Sequence, residues 1–136
     1  MRIIERGWEC RGLRCVVALD VEYFEEWFSG FVAVPQGHPC WGKEQDQVRV
    51  NVHGGLTFAK HGPNARNNKD FWWFGFHCRH SNDDTCRDTW HFERPHRIRQ
   101  TDVSLHKWTL EEVCAETEKL ANQLANMIAP AALTKV

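Results

Sequence analysis

The sequence predicts an α+β domain of two layers, an antiparallel β-sheet of about four strands covered on one face by a C-terminal amphipathic α-helix. Three observations carry this expectation. Val48, Val50 and Val52 alternate with Arg49, Asn51 and His53, the period of a strand with one buried and one polar face. The run Phe71-Trp72-Trp73-Phe74-Gly75-Phe76 has the aromatic composition of a core strand. Leu110, Val113, Cys114, Thr117, Leu120, Ala121, Leu124 and Ile128 recur with a period of 3.6, which places them on one stripe of a helix.

In chain order, the first expected strand is Cys15 to Val21. The second is Gly30 to Pro35, ended by a proline that has no N–H to give a ladder. Gln36 to Asp46 reads as a loop. The valine alternation forms a third strand, and Gly54-Gly55 permits a sharp bend before Leu56-Thr57-Phe58, because glycine accepts backbone angles that other residues avoid. His61 to Lys69 is rich in Gly, Pro and Asn and reads as a turn, after which Asp70 to Cys78 returns antiparallel. Thr109 with Glu112 forms a capping box at the helix start, and Pro130 marks its stop. The chain reads as one domain, 1–136, with an ordered core of about 14–128 and no internal repeat.

Seven Trp and eight Phe among 136 residues supply core material, so the negative mean hydropathy reflects charged exterior positions. A formal charge of −1 argues against a broad grip on nucleic acid, which needs a clustered excess of Lys and Arg. A local basic patch of Arg94, His96, Arg97 and Arg99 is suited to an anionic ligand. Met1 to Arg14 carries charges throughout and no apolar core, so it is expected neither to direct secretion nor to span a membrane. The expected compartment is the cytoplasm, where six cysteines are reduced thiols or metal ligands and not a disulfide framework. Gly-x-x-x-x-Gly-Lys-Ser/Thr, Gly-x-Ser-x-Gly and His-Glu-x-x-His are all missing, which disfavours common nucleotide hydrolases and zinc proteases.

The aromatic run stops at His77-Cys78-Arg79-His80-Ser81-Asn82-Asp83-Asp84, residues that cannot continue a strand and must turn. Ligand-capable side chains therefore gather at a strand end, a common place for functional groups. If the neighbouring strand delivers His53, then His53, His80 and Asp83 converge. Two imidazoles and a carboxylate can hold a transition metal, act as acid, base and orienting group, or hydrogen-bond a phosphate. In the plain structural alternative, His53 satisfies a backbone carbonyl and Asp83 caps the turn.

Two further groupings bear chemistry. Cys78, His80, Cys86 and His91 are four potential zinc ligands, although their spacing matches no usual paired-ligand pattern and Cys78 can equally be a packed free thiol. The loop Pro35-Gln36-Gly37-His38-Pro39-Cys40-Trp41-Gly42-Lys43 offers His38, an indole face at Trp41 for stacking and a Lys43 ammonium for a phosphate; alternatively Trp41 plugs the core edge.

Pro35-x-Gly37-His38-Pro39 with Gly42-Lys43, His53-Gly54-Gly55-Leu56-Thr57, and Trp73-x-Gly75-Phe76-x-Cys78-x-His80-x-x-Asp83, followed by a closing helix, together resemble a family of small uncharacterised bacteriophage proteins. The resemblance spans Gly30 to Leu124. Where the family pattern often has Asp before the cysteine this chain has His77, the substitute ligand if a metal site needs that position. Where the family loop usually contains Gly, this chain reads Ser81-Asn82. The resemblance brings no activity, and implies a role inside an infected bacterium, against host defence.

The first functional expectation is a module that binds and sequesters a small anionic or nucleotide-like ligand in a pocket of His38, Trp41, Lys43, His53, Thr57, His80 and Asp83. The alternative is a hydrolase in which His53, His80 and Asp83 are the catalytic candidates. Zinc or another divalent metal is the cofactor to consider in either, with His53, His77, Cys78, His80 and Asp83 as candidate ligands. A third possibility is an inhibitor of a host protein, anchored by exposed aromatics such as Trp27, Phe28 and Trp41. An exposed aromatic strand would also suit a homodimer.

Overall fold

A computed structural model describes residues 1–61, 71–86 and 105–128. Five strands, β1 (Arg2–Cys10), β2 (Leu13–Val21), β3 (Glu26–Pro35), β4 (Phe58–His61) and β5 (Phe71–His77), form one antiparallel sheet in the order β1-β2-β3-β5-β4. The helix α1 (Leu110–Ala125) packs on one face, chiefly against β2 and β3. The α+β expectation holds, with one strand more than the sequence suggested.

The additional strand is β1, which extends the sheet back to Arg2, ahead of the first buried core residue, Leu13. Arg11 and Gly12 join it to β2 with φ of 53° and 83°, the left-handed pair that a tight hairpin requires. Most of β1 is exposed and a bulge at Glu5 interrupts its alternation, so it lacks the two-residue period by which a half-buried strand is recognised.

On the helix side, Cys15, Val17, Val32, Val34, Phe74 and Phe76 meet Val113, Leu120, Ala121 and Leu124. Each large side chain buried here contributes about 1.5–3 kcal/mol. Thr109 accepts from the Glu112 N–H and the Glu112 carboxylate accepts from the Thr109 N–H, so the expected capping box is present. The helix ends at Ala125, before Ile128, while the proposed stop at Pro130 lies outside the described residues. On the opposite face, Val16, Ala18, Phe31, Ala33 and Trp73 form a second buried cluster.

The segment 48–53 departs from expectation in an informative way. Val48 and Val52 are buried and Arg49 and Asn51 exposed, as alternation predicts, yet the segment belongs to no strand. It runs beside α1, and helix side chains replace the missing ladder. The Asn51 N–H donates to Gln123 Oε1 at 2.7 Å, Gln123 Nε2 donates back to the Asn51 carbonyl at 2.9 Å, and the His53 N–H donates to Glu116 Oε2 at 2.8 Å. Glu116 and Gln123 are two turns apart on one helical face, the spacing needed to grip an extended chain. The expected Leu56–Phe58 strand starts only at Phe58.

Candidate functional site

Three elements deliver the site. The segment 48–53 brings His53 along the side of α1, the turn after β5 brings His80 and Asp83, and the residues leading into α1 bring Trp108. The turn forms because Asp83 bonds back to its own start. Its Oδ2 accepts the His80 N–H at 2.8 Å, while the Asp83 N–H donates to the His80 carbonyl at 2.9 Å. His106 then ties the turn to the entry of α1, donating its N–H to the Asn82 carbonyl and accepting from the Asp84 N–H.

The Asp83 side chain is only 2% exposed and is surrounded by nitrogen. His53 Nε2 lies 2.9 and 3.0 Å from its two oxygens, His80 Nδ1 lies 3.2 Å from Oδ2, and Trp108 Nε1 donates to Oδ1 at 3.0 Å. Burial acts to raise the Asp83 carboxyl, but the bonds from His53, the His80 N–H and Trp108 outweigh it and hold it below the ordinary carboxylate value. The His53 and His80 rings meet edge to face at 4.9 Å, and the Trp108 indole covers His53 at 4.5 Å. Ligand-capable atoms of His53, His80 and Asp83 all lie within 4.8 Å of one another.

Gly54-Gly55 shapes this cluster more closely than a bend requires. Gly54 has φ of 69° and its Cα faces the His80 ring so closely that any β-carbon there would overlap the imidazole. Only glycine satisfies both conditions.

The other expected ligands divide among separate places. His77 stacks on His80 with ring centroids 4.7 Å apart but is not one of the three converging donors. Its Nδ1 is buried without a partner, and burial together with the neighbouring His80 holds its imidazole below the ordinary value. Cys78 is buried on the helix side; that burial, then the carboxylate of Asp83, push its thiol up, away from the thiolate a metal needs. Cys86 is half-buried and His91 lies outside the described residues, so the four-ligand zinc set is not assembled by what is described. All six cysteines are free thiols.

His38 is not at this site. Its Nε2 donates to the Leu124 carbonyl at 2.7 Å and its Nδ1 accepts the Cys40 N–H at 2.9 Å, which makes it a tie on the last turn of α1. Glu116, which holds His53, is eight residues earlier in the helix, about 12 Å along its axis. Trp41 packs near His61 and Trp72, and Trp72 Nε1 donates to the Lys43 carbonyl, so the loop of His38, Trp41 and Lys43 is folded on the sheet at that far end. Thr57 is on the helix-free side, in a cleft of about 360 Å³ that it shares with Arg2, Asp20, Ser29, Phe31 and His77. The seven-residue pocket expected from sequence is therefore three separate places, and Arg94 to Arg99 lie outside the described residues. Trp27 and Phe28 are half-buried, the former beneath the Arg79 guanidinium at 4.4 Å and the latter against the core, so neither is the exposed anchor expected of an inhibitor.

Sequence reasoning missed Trp108, Glu116 and the contact of Gly54. Trp108 carries a weak sequence cue, an amphipathic residue directly before a capping box. Glu116 has none, because a carboxylate on an exposed helical stripe reads as solvated.

No family model, curated protein or solved structure matches the chain. Among the described residues no helix is long and apolar enough to cross a membrane.

Proposed function

We propose that the protein is a metal-dependent binding module, in which His53, His80 and Asp83 hold one divalent transition ion whose open coordination position takes a small anionic ligand. The observation that carries this reading is the convergence of the three donors, at 2.9 and 3.2 Å, around a buried carboxylate. Two ligands on a tetrahedral zinc with bonds of about 2.0–2.1 Å stand about 3.3 Å apart, close to both histidine–carboxylate separations, and all three donors lie within 4.8 Å of one another. Trp108 and the His80 N–H fix the carboxylate from outside, as outer partners do in metal centres. Two imidazoles with one carboxylate suit zinc, iron or a similar ion and leave it positively charged with a position to fill.

An anionic oxygen, such as that of a phosphate on a nucleotide-like molecule, is the ligand chemistry that this charge favours. In the setting that the resemblance to bacteriophage proteins implies, the module removes such a molecule from use in the host cytoplasm. Hydrolysis is the second reading, favoured by the three-donor set itself, since an ion with an open position acidifies bound water.

The test is the metal content of protein purified without chelator, with zinc titrations of the wild type and of His53→Ala, His80→Ala and Asp83→Ala. One ion per chain, lost in each variant while circular dichroism shows a retained fold, is expected. Protein that takes up no ion, or whose uptake ignores all three substitutions, sinks the proposal. Turnover of phosphoesters by the loaded protein would favour hydrolysis over sequestration.

A further inference from the structure

The β1 strand lies at the edge of the sheet, and among the described residues nothing bonds to its outer side. Such a strand presents a row of N–H and C=O groups suited to another strand. Ile3 and Ile4 on it are 40% and 55% exposed, large apolar side chains with little to cover them. The aromatic strand β5 lies between β3 and β4 and is not an edge of the sheet.

The sequence of β1 is self-complementary when set antiparallel to a second copy. With a two-fold axis between Glu5 and Arg6, Arg2 faces Glu9, Ile3 faces Trp8, Ile4 faces Gly7 and Glu5 faces Arg6. Every charge meets its opposite. Every large apolar residue meets an uncharged one. Opposite charges directly across an antiparallel pair stabilise it and like charges destabilise it.

The structure adds an independent check, because residues that face each other across two strands must also lie on the same side of the sheet. In a regular strand Arg2 and Glu9 would point to opposite sides, and this register would fail. The bulge at Glu5 corrects the phase. Arg2 bonds Asp20 and covers Phe31 on the helix-free face. Trp8 and Cys10 pack with the helix-side core, so Glu9 between them is on the helix-free face with Arg2. By the same alternation, Ile3 shares the helix side with Trp8, and Ile4 shares the helix-free side with Gly7. Arg6 reaches Cys114 of α1, the helix side. A bulge ordinarily protects an edge from pairing. Here both copies carry the extra residue at the axis, so neither strand has a residue without a partner.

We infer that β1 is a homodimer interface, through which two copies join edge to edge into one ten-stranded sheet with the helices on the same face. The occupant is a second copy because the charge pattern answers itself in a register whose sidedness only this bulged strand satisfies.

Light scattering coupled to size exclusion tests this on the full chain over a concentration series. The wild type is expected at twice its chain mass of 15.9 kDa. Glu5→Lys and Arg6→Glu each place like charges across both symmetry-related pairs, and each is expected to raise the dissociation constant about tenfold or more. The double variant Glu5→Lys/Arg6→Glu restores opposite charges and is expected to restore the dimer. If a single reversal unfolds the chain by circular dichroism, Glu5→Gln or Arg6→Gln is read in its place and is expected to weaken the dimer. A wild type that stays monomeric overturns the inference, as does a dimer indifferent to the single changes or a double variant that fails to recover.

Discussion

Gly54 and His80 are packed so closely that the glycine has no room for a side chain: a β-carbon there would overlap the imidazole whose Nδ1 lies 3.2 Å from Asp83 Oδ2. A methyl group there has two effects. Placing an L residue at φ of 69° costs about 1–2 kcal/mol, and the methyl displaces the His80 ring. Gly54→Ala is therefore expected to lose metal binding far beyond its modest loss of stability, measured by zinc titration beside urea unfolding. Full affinity in Gly54→Ala would show that His80 is not a ligand. Gly55 has φ of 81° but open space about it, so Gly55→Ala is the control, expected to lose similar stability and retain the ion.

Glu116 acts on the site through the backbone. Its Oε2 accepts the His53 N–H at 2.8 Å, fixing the segment that carries the imidazole without touching the donor atoms. Glu116→Ala leaves that partly buried N–H unpaired, which costs about 1–3 kcal/mol, and frees the His53 backbone to move. Glu116→Gln retains an amide oxygen as acceptor. The expected result is a weaker ion site in the alanine variant and rescue in the glutamine variant, by calorimetric titration. Equal behaviour of the two would remove Glu116 as a positioning residue.

The valine alternation before His53 shows how far the sequence could be read. Period two says which side chains are buried, and Val48 and Val52 are buried as it demands. It does not say where the backbone finds partners, and here Gln123 and Glu116 of the helix supply them. The helix itself was legible because its stripe and its Thr109–Glu112 box are local features of consecutive residues. The turn at Asp83 was legible for the same reason. The grouping of His38, Trp41 and Lys43 with His53 was not, because loop chemistry carries no information on which end of a helix the loop will reach. His38 ends against Leu124 and His53 against Glu116.

Acid stability should report on the capping box. The Thr109 N–H, opposed by slight burial and aided by a bond from His106, holds the Glu112 carboxyl below its ordinary value of 4.5. A carboxyl lowered in the folded state contributes stability that is complete above its unfolded value and is lost as pH falls through the folded one. The melting temperature of the wild type is thus expected to fall on acidification below pH 4.5 more steeply than that of Glu112→Gln. Glutamine can keep the box geometry but cannot titrate. Parallel melting curves for the two proteins through that interval would show that Glu112 gains nothing from its partners.

His38 separates structure from function. Both ring nitrogens are committed, Nε2 to the Leu124 carbonyl at 2.7 Å and Nδ1 to the Cys40 N–H at 2.9 Å, and the side chain is buried. His38→Ala takes one partner from the Leu124 carbonyl, which keeps the Met127 N–H, and leaves the Cys40 N–H without its acceptor, a loss of about 1–3 kcal/mol for that buried group. The variant is expected to unfold at lower urea while binding zinc as the wild type does at low denaturant, since His53, His80 and Asp83 are held by other elements. His80→Ala should show the reverse, with its ring partly exposed and its turn still closed by the Asp83 carboxylate on the backbone N–H. Measuring both variants for both properties crosses the two roles. If His38→Ala abolished ion binding without loss of stability, the histidine at the helix end would belong to the site after all.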